Sequence, residues 1–171
     1  ILYLNVITDV FPALALGVGK GSHHVMEQPP RDPKESILTR HHWSRISGWS
    51  ALIGACVLGA LAFALNQLGF EQNQAVTISF LTLAFGKLWF TFNLRDPGTT
   101  LLDNDIVRNG WVWGAIGLCI GLLLLAVYLP FLSELLKTEN PGSTGWLTIL
   151  GFSLIPFLVG QGLRVYQRMK G

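Results

Sequence analysis

Asn5-Val6-Ile7-Thr8-Asp9-Val10-Phe11-Pro12-Ala13-Leu14-Ala15-Leu16-Gly17 is an apolar stretch interrupted by three oxygen-bearing side chains and then by a proline. In a helix, Asn5, Thr8 and Asp9 fall at i, i+3 and i+4 and so share one face. Pro12 has no backbone N–H to give and its ring clashes with the carbonyl of Thr8, so the helix is expected to break near Pro12. Side-chain oxygens beside carbonyls that have lost their helical partners, inside a bilayer, are what a hard cation takes. The competing reading is a proline-kinked helix whose Asp9 is paired for structural reasons alone. Ionisable groups inside a membrane mark functional sites by default, which favours the cation reading.

Working outward, composition places the whole chain in a membrane. Half of its residues are hydrophobic and only 13% are charged, against about 25% charged in soluble domains. Mean hydropathy is +0.46. A net charge of +2 is too small to imply a nucleic-acid partner. Cys56 and Cys119 lie in apolar runs without metal-ligand neighbours and read as small core or lipid-facing residues.

Five apolar runs are long enough to span a hydrocarbon core of about 30 Å, which takes roughly 20 helical residues. They cover residues 1–19, 46–68, 75–93, 111–132 and 146–165. The fold class expected is an all-α membrane protein, a bundle of five transmembrane helices with the first broken near Pro12, forming one domain over residues 1–171. The start at Ile1-Leu2-Tyr3-Leu4, with the first apolar run under way, reads as the later part of a longer polypeptide.

Basic residues set the orientation. Lys20, Arg31, Lys34, Arg40 and Arg45 sit in the first loop, Arg95 and Arg108 in the third, and Arg164, Arg168 and Lys170 near the end of the chain. By the positive-inside rule these regions are cytoplasmic, including the C-terminus. Trp43, Trp49, Trp111, Trp113 and Trp146 lie near span ends, as interfacial anchors do. Ala51, Ala55 and Gly59, and the Gly117–Gly121 pair, offer small faces for close helix packing. His23-His24 and His41-His42 read as solvated loop residues, because adjacent histidines do not share a helix face and no cysteine supports them.

Depth singles out two charges. Asp9 precedes Lys20 by 11 residues, which at about 1.5 Å per residue puts it about 16 Å below the interface, near the midplane. Lys87 precedes Arg95 by 8 residues, about 12 Å deep on the same scale. The two have matching depth and opposite charge. Lys87 is therefore a candidate counter-charge for Asp9, unless it snorkels to the headgroups.

The run from Asn5 to Gly17 resembles the sixth transmembrane helix of P-type cation-transporting ATPases, most closely the calcium-pump-like branch. Met26-Glu27-Gln28-Pro29-Pro30-Arg31-Asp32-Pro33-Lys34-Glu35 resembles the cytoplasmic loop that follows that helix in the family. Phe92-Asn93, two further spans and a basic tail continue the likeness through the sixth to tenth helices. The resemblance implies ATP-driven cation transport, with Asn5, Thr8 and Asp9 at ion-site positions and Ca2+ or another cation as cargo. It also implies the lipid bilayer, upstream helices and cytoplasmic domains of the same pump as partners, in the plasma (inner) membrane. ATP and Mg2+ belong to those cytoplasmic domains. No Asp-Lys-Thr-Gly-Thr phosphorylation motif occurs in these residues, so the chain alone is not expected to hydrolyse ATP. One departure stands out: counting back from Asn93, Lys87 falls where two-site calcium pumps carry a glutamate ligand, and a protonated lysine cannot ligate a metal. The rival readings are a fragment of a secondary transporter with a broken-helix site and a non-transporting membrane scaffold.

Overall fold

The computed structural model describes residues 2–18, 39–94 and 105–170, and all regular structure among them is helical. Helix α1, Leu2–Gly17, consists of an α-helical turn Leu2–Asn5, a π turn Val6–Val10 and an α-helical segment Phe11–Gly17. The expected break near Pro12 is a change of register rather than an unwound gap. Asn5, Val10 and Phe11 all keep right-handed helical dihedrals, while hydrogen bonding widens from i→i+4 to i→i+5 across the π turn. Pro12 then sits at the start of the following α segment, where a missing N–H is tolerated.

Helix α2, Arg40–Asn66, starts before the hydropathy pattern does, because its N-terminus is capped. The Thr39 hydroxyl accepts the His42 N–H at 3.4 Å, and His42 Nδ1 accepts the Thr39 N–H at 3.3 Å. This reciprocal pair satisfies donors that the first turn leaves open. His42 is thus a capping residue and not a loop histidine; His23 and His24 lie outside the described residues. Helix α3, Gln72–Phe90, runs into a 3-10 turn, Thr91–Leu94. A short α4, Asp105–Arg108, precedes α5, Gly110–Tyr128. Pro130 ends α5 instead of bending it. The residue before a proline is pushed out of the helical region: Leu129 is extended (φ −84°, ψ 115°), and Pro130 opens α6, Pro130–Leu136. Helix α7, Gly142–Lys170, carries Pro156 inside it.

Among the described residues four helical stretches are long and apolar enough to cross a membrane: His42–Asn66, Gln72–Leu94, Gly110–Tyr128 and Gly142–Tyr166. The first of the five expected spans, Leu2–Gly17, is apolar but shorter, reaching about 24 Å at about 1.5 Å per residue. The chain is a multi-pass integral membrane domain.

Helix α3 lies at the centre, with Ala75, Ile78, Leu81, Ala84, Phe85 and Leu88 buried along its length. It packs against α7 and α2, while α5 packs against the second half of α1. Helix α2 uses a narrow strip, Cys56, Ala60 and Ala64. That strip is rotated one position from the expected Ala51-Ala55-Gly59 face, of which Ala51 and Ala55 are exposed and Gly59 faces Phe152. Gly117 and Gly121 have open space where a Cβ would go; the packing face of α5 is Val112, Ile116, Cys119 and Leu123.

The tightest junction joins the 3-10 turn to α7. Buried Asn93 donates from Nδ2 to the Pro156 carbonyl at 3.3 Å and accepts at Oδ1 from Gln161 Nε2 at 2.6 Å. Arg164 donates to the Asn93 carbonyl at 2.5 Å. Gly160 leaves room for this amide: a Cβ there would lie 2.6 Å from Asn93 Cγ. Gly160→Ala is expected to lower stability by about 1–3 kcal/mol, the usual range for overpacking a filled site. Gly162→Ala, with nothing within 4 Å, should be neutral or gain up to about 1 kcal/mol from helix propensity. Thermal unfolding of the detergent-solubilised protein compares the two.

Candidate cation site

The site is built on the π turn of α1. One face of α1 packs inward through Leu4, Ile7, Thr8, Pro12 and Ala15, all buried. The opposite face, with Asn5, Val6, Asp9, Val10, Ala13 and Leu14, is exposed along the helix. The three oxygen-bearing side chains expected on one face are therefore divided: Asn5 and Asp9 point to the open side and Thr8 to the core. Thr8 Oγ1 lies 2.9 Å from the Leu4 carbonyl and 3.3 Å from Asp9 Oδ1, so its hydroxyl can donate to either. Thr8 and Asp9 remain in contact despite facing different ways.

Asp9 meets Lys87. The Lys87 ammonium from the last turn of α3 donates to both carboxylate oxygens, at 3.1 Å each. The pair joins residues 78 positions apart, and it places at one level the two charges whose depths matched in the sequence. Lys87 does not snorkel away from Asp9 here. The Lys87 side chain is 28% exposed and that of Asp9 54%, so the carboxylate stays accessible from the open face of α1.

The carbonyls near Pro12 are not all available to a ligand. Thr8 turns to that of Leu4, Cys119 Sγ donates to that of Ile7 at 3.1 Å, and Asn109 Nδ2 donates to that of Ala15 at 3.0 Å. Asn109 also caps α5, its Oδ1 accepting the Trp111 N–H at 3.0 Å. Tyr3 donates in turn from α1 to the Leu122 carbonyl at 2.7 Å. Sequence reading had left Tyr3, Asn109 and Cys119 without a role. Asn109 was detectable as an N-cap residue ahead of an apolar run, but its second bond, across 94 positions, has no local signature. Among the described residues no three His, Cys, Asp or Glu side chains gather as a metal cluster. At the π turn the described residues thus offer one carboxylate with neutral oxygens beside it.

Comparison with known proteins bears on the family of the whole chain. A family model described as cation transporting ATPase, C-terminus, matches residues 1–166. The chain is 30% identical to a calcium-transporting ATPase of Bacillus subtilis over 95% of its own length. It is 27% identical to calcium-transporting ATPase 1 of Saccharomyces cerevisiae over 99% of its length. With the human calcium-transporting ATPase type 2C member 2 it shares 25% identity over 98%. In each case it spans 18% of the relative's length. Matched over residues 1–166 by that family model and by the C-terminal region of these relatives, the chain belongs to the C-terminal family of cation-transporting P-type ATPases.

Proposed function

We propose that this chain, as one domain, is the C-terminal membrane part of an ATP-driven pump for Ca2+, in which Asn5, Thr8 and Asp9 supply one wall of the ion site. The observation that carries this reading is the carboxylate of Asp9 within the π turn, open on one side and holding an ammonium through both oxygens. Two oxygens that clamp an ammonium present the same lone pairs to a metal ion. The Asn5 amide shares the open face, and the Thr8 oxygen lies within reach of Asp9. Calcium takes six to eight oxygens, more than these residues provide. The remaining ligands come from other helices of the same polypeptide, seated against the open face of α1. Calcium is the cargo named for the relatives. ATP and Mg2+ act in cytoplasmic domains of that longer polypeptide.

Lys87 is the counter-charge in this scheme. With the ion absent, its ammonium neutralises Asp9; with the ion bound, it withdraws along its flexible stem. Two unpaired charges at this depth would each cost on the order of several kcal/mol, so the exchange keeps the carboxylate compensated throughout. The same ion pair would also suit a scaffold that transports nothing, and cation dependence separates the two. In the complete polypeptide, Asp9→Asn should leave expression intact and abolish Ca2+-stimulated phosphorylation from ATP; unchanged Ca2+ dependence would favour the scaffold. Lys87→Gln should tighten apparent Ca2+ affinity by about tenfold, the equivalent of about 1.4 kcal/mol of lost competition. Lys87→Arg should stay near wild type.

The distribution of basic residues supports a cytoplasmic C-terminus, and the plasma membrane is the membrane proposed for it. Single cysteines at Lys170 and at Glu139 should label from opposite sides in intact cells, Glu139→Cys from outside. Labelling of Lys170→Cys by an impermeant reagent added outside would reverse the orientation.

A further inference from the structure

We propose that Cys119 is a positioning residue for the cation site, holding the π turn of α1 through the Ile7 carbonyl. The inference rests on the reading of Asp9 and Thr8 as cation ligands. It starts from a mismatch of register. In the i→i+5 pattern of a π turn the carbonyl of Ile7 calls on the N–H of residue 12, and in the α pattern the carbonyl of Thr8 does. Residue 12 is Pro12 and has none. The change of register therefore hands the missing bond to Ile7, in a region where no water replaces it.

The thiol of Cys119, fully buried on α5, lies 3.1 Å from that oxygen and donates to it. Ile7 is itself buried against the core that contains Cys119 and Leu123, so side chain and carbonyl are held toward the bundle together. Anchoring the residue before Thr8 and Asp9 in this way fixes the angle at which the Asp9 carboxylate leaves the helix on the opposite face. Beyond Pro12, Asn109 takes the Ala15 carbonyl, so α5 grips the backbone on both sides of the proline. The stretch between the two grips carries Thr8 and Asp9.

The experiment uses the complete polypeptide with Cys119→Ala, which removes the donor, and Cys119→Ser, which restores one of similar size. Two readouts are taken: Ca2+ dependence of phosphoenzyme formed from ATP, and the amount formed from inorganic phosphate without Ca2+, which counts folded sites. Cys119→Ala should raise the half-saturating Ca2+ concentration at least fivefold at an unchanged level from inorganic phosphate. Cys119→Ser should return it to within twofold of wild type. A Ca2+ curve for Cys119→Ala that superimposes on wild type overturns the proposal, as does a parallel loss of both readouts that serine does not rescue. The infrared S–H stretch, taken as the difference between wild type and Cys119→Ala, is independent of transport. A band at the lower frequency of a hydrogen-bonded thiol is expected, and one at the free-thiol frequency overturns the clamp. Failure of the wild type itself to show Ca2+-dependent phosphorylation would count against the pump reading and with it the role of Cys119 at a cation site, while the S–H band would still report on the clamp.

Discussion

Pro12 has no amide hydrogen, and much of the site follows from that deficit. In lipid a carbonyl without a partner costs several kcal/mol, so a helix that carries an internal proline has to find donors elsewhere. The described residues show the solution at Ile7, whose carbonyl takes the Cys119 thiol; the Thr8 hydroxyl on the Leu4 carbonyl and the Asn109 amide on that of Ala15 are further bonds to the backbone of the same helix. The π turn at Val6–Val10 concentrates the irregularity over one turn directly ahead of Pro12. Helix α1 remains continuous on either side. The irregular turn is also where the helix presents its one carboxylate.

The second element is electrostatic. In water a half-exposed pair such as Asp9 and Lys87 contributes about 0–1 kcal/mol. In a bilayer the comparison is with two separated charges in hydrocarbon, which favours contact far more. Helix α1 is consequently held by two neighbours through different physics. Helix α5 holds its backbone by hydrogen bonds and buried apolar contact, and α3 holds its carboxylate by charge. On the proposed reading of Asp9 as a cation ligand, the ion would compete with only the second of these. The backbone that frames the site need not move when the charge partner does.

The membrane class, the helical content, Asp9 as the isolated carboxylate of the first apolar run and Lys87 as its candidate partner at matching depth were legible in the residues, because depth and hydropathy are set by position along the chain. Rotation about a helix axis was not. The i, i+3, i+4 rule put Thr8 with Asn5 and Asp9, yet burial divides them. The strip on α2 proved to be Cys56-Ala60-Ala64, since several strips of small residues compete on a uniformly apolar helix and sequence ranks none of them. Pro130 ends its helix, where a proline can equally kink one, because Leu129 leaves the helical region. Cys119 looked inert because an apolar neighbourhood hides a hydrogen bond made to backbone 112 positions away.

The junction at Asn93 has a bearing on how such a chain can diverge. The Asn93 amide uses its nitrogen on the Pro156 carbonyl and its oxygen on Gln161, in a space that exists because residue 160 has no side chain. Aspartate would lack the donor, leucine both polar ends, and glutamine would need the volume that Gly160 only just leaves. Any side chain at position 160 would fall on the Asn93 amide, so residue 160, far away in the chain, sets the size limit for residue 93.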